Sequence, residues 1–263
     1  MDYQAKEVVV TFTGKILGRD YPQLISVNTI RTCFENINAM GFCILDIDAM
    51  MGAEVVLADV TKDVHGLDTS EVTRFIQSHI RNYTFYKSRY MKNGNYEIQK
   101  NVTGKPLRKR LTIYDKEKEM KMAENRRFAE EYGIQDAFVN TCRFELNLNS
   151  KEQVRKSLGL TNNNLMNVLQ SSANPIMDYV EEVVYVPMEP IQYSDFKSYI
   201  TSLVLKDCNN DLEAVEAKLR SLYSRGGFHL KRVMEPYRTM LEQQNNNTSA
   251  GSSIYRNILD SLA

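Results

Sequence analysis

Hydrophobic and polar residues alternate along several short segments before residue 150, which is the period-2 pattern of strands with one buried face. We predict seven strands, at 7–12, 42–47, 54–63, 83–91, 95–99, 110–116 and 140–148. The Asn93–Gly94 pair between two of these segments is a strong signal for a β-hairpin turn. Apolar residues at helical spacing predict helices at 28–40, after an N-cap at Thr69, and at 115–132.

The pattern changes after residue 149, where helical spacing continues nearly to the end of the chain. We predict helices at 150–158, 162–171, 175–183, 193–206, 209–224, 227–244 and 251–262. Because all the predicted strands come first, we expect an α+β fold with a mostly antiparallel sheet and flanking helices, followed by an all-helical C-terminal region. The expected domains are 1–149 and 150–263.

The composition narrows the class of protein. The 263 residues can form one large domain, or a domain with a helical appendage. Lys and Arg together number 33, as do Asp and Glu, so any nucleic-acid surface must come from segregated charge. The four cysteines form no CxxC pair, which suggests neither a zinc site nor a disulfide framework and fits a reducing cytoplasm. The chain has no apolar run of about 18 residues and no signal-peptide pattern, so we expect no membrane association.

Positive charge is concentrated in one region. Between Arg81 and Arg127 there are 14 Lys or Arg residues against 5 Asp or Glu residues, with aromatic residues interleaved. Cations for phosphates and aromatic rings for base stacking suit single-stranded nucleic acid. Alternatively, the aromatics pack in the sheet and the cations form its ordinary rim. The residues expected to bind DNA are Lys87, Arg89, Lys105, Arg108, Arg110 and Arg143.

Three predicted strands carry polar side chains on the face opposite their apolar residues. These sets are Asp59, Thr61 and Asp63; Thr112, Tyr114 and Lys116; and Arg143, Glu145 and Asn147. If the strands are neighbours with these faces aligned, carboxylates converge beside a tyrosine, and such oxygen ligands suit Mg²⁺ or Mn²⁺. A phenol has an ordinary pKa of about 10, so the tyrosine needs a base or nearby cations to act as a nucleophile. The simpler interpretation is that each set forms a solvated strand face.

Three further residues are weaker candidates for the same site. Asp46 and Asp48 are either ligands or part of a strand end, and His65 is either a ligand or base or a plain loop residue before Gly66. We favour the structural role for each of them.

An ordered set of motifs resembles the rolling-circle replication initiators. The motifs are ADVTKD at 58–63, LTIYDK at 111–116 followed by Glu119, and CRFELNL at 142–148. The similarity is with the branch that includes the filamentous-phage replication endonuclease and the plasmid Rep proteins without a paired-histidine motif. It covers about residues 50–165, including VRKSLGL at 154–160, which resembles the short helix after that family's Arg-Phe-Glu strand. The family usually has Arg before the first Asp, where this chain has Ala58.

The resemblance implies an enzyme that nicks one strand of an origin through a tyrosine. It leaves a 5′-phosphotyrosyl link and a free 3′-OH, and later rejoins the displaced strand. Tyr114 and Lys116 match the family's Tyr-x-Lys segment. Asp59 and Glu145 match its metal-binding carboxylates, and Asp63 is a second candidate for the first of these. The implied cofactor is Mg²⁺ or Mn²⁺.

The same resemblance implies the partners. We expect origin DNA with a single-stranded region, in the cytoplasm of a bacterial host that carries a phage or mobile element. The sequence has no GxxxxGK[ST] phosphate loop, so unwinding is expected to require a separate host helicase. The helical C-terminal region is expected to bind origin DNA or a second copy of the chain.

Two other classes of function fit the same sequence. One is a non-catalytic DNA-binding protein, such as a replication accessory factor or repressor. The other is a structural or assembly protein whose basic strip binds an acidic partner. The first is expected to bind DNA without forming an adduct, and the second to have no salt-dependent affinity for DNA.

Overall fold

The computed structural model describes residues 8–81, 85–100, 109–186, 195–208, 211–222, 230–246 and 250–263. The chain divides into two compact units, Met1–Tyr185 together with Ile258–Ala263, and Val186–Asn257. The boundary expected at residue 149 therefore lies inside the first unit, which retains the helices that directly follow the last strand.

The strands of the first unit form one antiparallel sheet. They are β1 (Ala58–His65), β2 (Tyr86–Tyr90), β3 (Tyr96–Lys100), β4 (Arg110–Asp115) and β5 (Thr141–Leu148). Their order is β1-β5-β4-β3-β2, and every neighbouring pair is antiparallel. With helices on its flanks and a helical C-terminal region, the molecule has the α+β class predicted from the sequence.

The described residues contain twelve α-helices and two 3₁₀ segments, Gly14–Gln23 and Gln135–Phe138. The helices before β5 are α1 (Ile30–Ala39), α2 (Ile47–Met51), α3 (Thr69–Ser78), α4 (Lys116–Met120) and α5 (Ala123–Tyr132). Those after it are α6 (Lys151–Ser157), α7 (Leu165–Leu169), α8 (Pro175–Val183), α9 (Phe196–Asp207), α10 (Leu212–Leu222), α11 (Leu230–Asn246) and α12 (Ala250–Leu262). None of the helices in these described ranges has the length and apolar character needed to cross a lipid bilayer.

One face of the sheet is apolar and carries the main core of the first unit. The inward residues of β4 and β5 are fully buried, and α3 and α8 pack against these strands. These residues are Leu111, Ile113, Phe144, Leu146 and Leu148. Burying each such side chain contributes about 1.5–3 kcal/mol. A register slip of one residue would turn them all to the other face, so the core also fixes which polar residues lie on the opposite face.

Two predicted strands were wrong. Residues 8–12, the described part of the 7–12 segment, form no strand, because Phe12 packs on Phe34 and not in the sheet. In the 42–47 segment, residues 42–46 form a loop and Ile47 begins α2, which the Asp46 side chain caps by accepting a hydrogen bond from the Ala49 amide. Phe42 and Ile44 are 91% and 92% exposed, so their apolar character is not used in a core.

Other local predictions were confirmed with small changes. The hairpin has β2 and β3 as its strands, and Gly94 in its turn adopts a positive φ of 86°. The first residue of α3 is Thr69, but Asp68 caps the helix by accepting from the Ser70 and Glu71 amides. The predicted 115–132 helix is divided into α4 and α5, because Met122 is extended with ψ 146°.

In the described part of the second unit, helices α9, α10 and α11 pack around a small core of their own, and the first residues of α12 also belong to this unit. The buried residues of this core are Leu205, Cys208, Val215, Leu219, Met234 and Tyr237. The helical character predicted for this part of the chain is therefore confirmed.

Candidate active site on the polar face of the sheet

The polar residues of β1, β5 and β4 lie on one face in register, and we call this surface the polar face. Three cross-strand rows define it: Asp59–Asn147–Arg110, Thr61–Glu145–Thr112 and Asp63–Arg143–Tyr114. The site predicted from the sequence required these strands to be neighbours with their polar sides aligned. Both conditions are met in the structure. Side chains directly or diagonally opposite on one face are within reach of each other, so the rows form a connected polar surface.

Tyr114 and Glu145 interact directly on this surface, from neighbouring rows of β4 and β5. The Tyr114 hydroxyl donates a hydrogen bond of 3.1 Å to Glu145 Oε2. Burial, and then the negative charge of Glu145, raises the pKa of Tyr114 well above its usual value. The phenol is therefore neutral at pH 7, and the adjacent carboxylate is placed to accept its proton.

Two buried cations lie beside Tyr114. Arg143 is its direct partner across the β4–β5 ladder and is 4% exposed. Lys116 is 1% exposed, and its Nζ lies 5.9 Å from the centroid of the Tyr114 ring. Both cations also donate to the hydroxyl of Tyr21, which belongs to the first 3₁₀ segment. The end of the polar face that carries Tyr114 is thus covered and holds two buried cations, each paired with a carboxylate: Arg143 with Asp63, and Lys116 with Glu119.

The three predicted carboxylate ligands have different surroundings. Asp63 accepts hydrogen bonds from Nε and Nη2 of Arg143, both at 2.5 Å, so both of its oxygens bind the guanidinium. Asp59 is exposed and accepts from Asn147 Nδ2 at 2.5 Å, and Glu145 is partly exposed. Asp63 is therefore committed to an ion pair, whereas Asp59 and Glu145 face the more open part of the polar face.

The fit of a divalent metal can be judged from these partners. In the parts of the chain that the structure describes, no three His, Cys, Asp or Glu side chains come together as a metal-binding group. Mg²⁺, however, commonly binds through one or two carboxylates together with water and substrate phosphate. Asp59 and Glu145 fit a site of that kind, and Asp63 does not, since a metal would displace it from a buried guanidinium.

The predicted DNA-binding residues fall into three groups. Lys87 and Arg89 of β2 extend the rows of the polar face through β3, and Arg110 lies on that face with its Nε bonded to Asn147. Arg143 is buried in its ion pair with Asp63. Lys105 and Arg108 lie outside the described residues.

The exposed cations of this group are partly neutralised. Glu97 of β3 accepts from Arg89 Nη2 at 3.1 Å and lies 3.5 Å from Arg110 Nη1. Lys87, in contrast, is exposed at the β2 edge of the polar face. The polar face thus has cations towards β2 and carboxylates towards β1.

The weaker candidates lie away from this site. Asp46 caps α2, and Asp48 forms an exposed ion pair with Arg31 at 2.9 Å. His65 Nδ1 lies 2.9 Å from the hydroxyl of Thr141 at the end of the β1–β5 ladder. Asp46 and Asp48 therefore have structural roles in α2 and not at the strand end that we favoured, and His65 is the last residue of β1 and not the loop residue that we favoured.

Sequence reasoning missed Tyr21 and Asn125. Tyr21 is separated by 95 residues from Lys116 and by 122 from Arg143. Asn125 Nδ2 bonds the backbone oxygen of Glu119 at 3.0 Å, which anchors the start of α5 beside the site. The segment around Tyr21 has neither strand nor helix periodicity, so no local pattern pointed to it.

Comparisons of this chain with protein-family models, with curated proteins and with solved structures found no match.

Proposed function

We propose that this chain is a replication initiator of a phage or mobile element, which nicks one strand of origin DNA through Tyr114 and later rejoins it. The observation that carries the proposal is the hydrogen bond between Tyr114 and Glu145 on a face that also carries Lys87, Arg89 and Arg110. A nucleophile, a base and cations for a phosphate backbone share one surface, which is the set of groups that nucleophilic phosphoryl transfer requires.

The proposed chemistry is a transesterification. Tyr114 Oη attacks the phosphorus of a DNA phosphodiester, and its proton passes to Glu145. The new bond joins Oη to phosphorus, and the bond from phosphorus to the 3′ oxygen breaks. Glu145 then returns the proton to the 3′ oxygen, so that the products are a 5′-phosphotyrosyl link and a free 3′-OH. Because the pKa of Tyr114 is raised by burial and by Glu145, proton transfer must accompany the attack.

Two cations beside Tyr114 favour this step. Lys116 and Arg143 lie next to the phenol ring in a buried setting, where fixed charges stabilise developing negative charge more strongly than in water. We further propose that Asp59 and Glu145 hold Mg²⁺ or Mn²⁺, which when bound supplies positive charge to the phosphate oxygens.

The DNA strand is proposed to cross the polar face from the β2 edge, where Lys87 is exposed, towards Glu145. The partners proposed with this function are origin DNA in a bacterial cytoplasm, a host helicase and a second copy of the chain. The second unit is proposed to bind either the origin or the second copy.

The test is a covalent-adduct assay with matched variants. Supercoiled DNA that carries the genomic region around the coding sequence is incubated with protein and Mg²⁺ or Mn²⁺, and adducts are resolved on a denaturing gel. We expect Tyr114→Phe to abolish nicking and adduct while DNA binding stays within about twofold, and Glu145→Gln to lower the rate by about 100-fold or more. Tyr86→Phe is the control, because Tyr86 is also buried and donates to a carboxylate, Glu182, at 2.6 Å, but on the opposite face.

An adduct formed by Tyr114→Phe would show that another residue is the nucleophile. Full nicking in excess EDTA would exclude the metal part of the proposal and leave the tyrosine part intact.

A second function, DNA binding without catalysis, is favoured by one observation. Tyr114 is only 9% exposed, as a purely structural phenol would be. This alternative predicts that wild-type protein binds the same DNA with a salt-dependent affinity and forms no adduct, and that Glu145→Gln binds equally well.

A further inference from the structure

Tyr21 joins the two cations that flank Tyr114. Its hydroxyl oxygen accepts a hydrogen bond of 2.8 Å from Lys116 Nζ and one of 2.9 Å from Arg143 Nη1. Both cations also lie over its ring, with Lys116 Nζ 5.0 Å and Arg143 Cζ 5.5 Å from the centroid. Hydrogen bonds from charged donors are roughly twice as strong as neutral ones. One phenol therefore fixes the position of both cations.

The remaining partners of these cations hold them separately. Arg143 is bound by Asp63 from β1, and Lys116 donates to Glu119 Oε2 of its own helix α4 at 2.5 Å. Among the described residues, Tyr21 is the group whose oxygen is bonded to both. Its removal would leave each cation tethered on one side only.

Tyr21 itself is held firmly. Its ring centroid lies 5.5 Å from that of Phe128 and 5.5 Å from that of Phe138, and the side chain is 6% exposed. The 3₁₀ segment packs closely on α5, because Gly18 has a φ of 57° and a Cβ added there would lie 2.6 Å from the Tyr132 ring. The backbone that carries Tyr21 is thus fixed against the helix that covers this end of the polar face.

We infer that Tyr21 is a positioning residue for the nicking reaction: it holds Lys116 and Arg143 where they stabilise the negative charge that develops on Tyr114 Oη and on the phosphoryl oxygens. This inference rests on the proposed function. Tyr21 is buried beneath the cations, so it acts through them and not by contact with DNA. Fixed charges act most strongly where they need no rearrangement during the reaction, and Tyr21 supplies that rigidity.

The kinetic test compares Tyr21→Phe with wild type and with Tyr86→Phe. Single-turnover adduct formation is followed at several concentrations of the same supercoiled DNA. We expect Tyr21→Phe to lower the maximal rate by about 10- to 100-fold, because small misplacements of catalytic groups have effects of that size. The DNA concentration for half-maximal rate stays unchanged. Tyr86→Phe, which loses a comparable buried hydrogen bond, leaves both parameters as in wild type.

A second readout needs no DNA. In protein with ¹⁵N-labelled lysine and arginine, nuclear magnetic resonance detects the Lys116 ammonium and the Arg143 guanidinium, assigned from Lys116→Met and Arg143→Met. We expect Tyr21→Phe to increase their mobility and solvent exchange, and Tyr86→Phe to leave them unchanged.

The two readouts separate the possible failures. Unchanged cation signals, or a maximal rate within twofold of wild type, would overturn the positioning role. If wild-type protein forms no adduct at all, the nicking function fails and with it any catalytic role of Tyr21, while the spectra still report whether Tyr21 holds the cations.

Discussion

At the residue scale, the Asp63–Arg143 pair decides how the polar face is built. Arg143 is 4% exposed and both Asp63 oxygens bind it, so loss of the acid leaves a guanidinium buried without its counter-ion. We expect Asp63→Asn to lower the free energy of unfolding by about 3 kcal/mol, and the double change Asp63→Asn with Arg143→Met to recover most of that loss. Urea unfolding of the purified chain measures both.

The exposed Arg31–Asp48 pair provides the control for this prediction. Its side chains are 57% and 87% exposed, and Asp48→Asn is expected to change the free energy of unfolding by less than about 1 kcal/mol. Equal effects of Asp63→Asn and Asp48→Asn would mean that the Arg143 pair is not buried in solution.

Part of this site could be predicted from the sequence, and part could not. Alternation within single strands placed Tyr114, Glu145 and Asp59 on one side of their strands, and the alignment of those sides followed once the strands were neighbours. Burial of Arg143 was not predictable, since it depends on Tyr21 and the aromatic residues that cover one end of the polar face. The local sequence around a strand arginine is the same whether its side chain faces solvent or contacts a tyrosine that is distant in the sequence. The sequence pattern therefore could not show that Arg143 is buried.

At the scale of elements, the β2–β3 hairpin is the part of the polar face best placed to bind phosphates. Lys87 is exposed on its polar side. For a protein bound to a single strand, removing one cation that neutralises a phosphate reduces the salt dependence of log Kd by about 0.7 per log unit of salt. We expect Lys87→Ala to weaken binding of single-stranded DNA and to reduce that slope by about this amount, as measured by fluorescence anisotropy at several salt concentrations.

Lys156→Ala is the matched control, because Lys156 is also an exposed lysine, on α6, and it forms a salt bridge with Glu152 in its own helix. We expect no change in slope for this variant. The same slope for Lys87→Ala and wild type would remove the hairpin from the DNA path.

Individual strands and helices show where the local sequence pattern was sufficient to predict the structure. The hairpin was predictable because Asn93–Gly94 forms its turn between alternating segments. The 42–47 segment was not, because its strand-like composition is outweighed by a helix cap at Asp46 and by hydrogen bonds between Asn38 and the backbone of Leu45. Such interactions override strand propensity, which is a weak preference on its own.

At the scale of the whole molecule, buried tyrosine hydroxyls make the free energy of unfolding depend on pH in the alkaline range. Burial raises the pKa values of Tyr114 and Tyr86 above their usual range, in each case reinforced by a neighbouring glutamate. In the unfolded chain both phenols ionise near pH 10.0, while in the folded chain they keep their protons at higher pH. The unfolded state thus loses protons first, so the stability that they contribute is complete below pH 10 and declines as pH rises above it.

The Tyr86→Phe/Tyr114→Phe double variant isolates this effect, since all other ionisable groups are common to both proteins. Above pH 10, each removed phenol should reduce the decline in unfolding free energy by about 1.4 kcal/mol per pH unit. Urea unfolding of wild type and variant between pH 8 and pH 11.5 gives the difference directly, and absorbance at 295 nm reports the ionisation of the remaining tyrosines. Parallel stability curves above pH 10 would mean that both phenols ionise as freely in the folded chain as in the unfolded one. Tyr114 would then lie in a more solvated site than the covered end of the polar face provides.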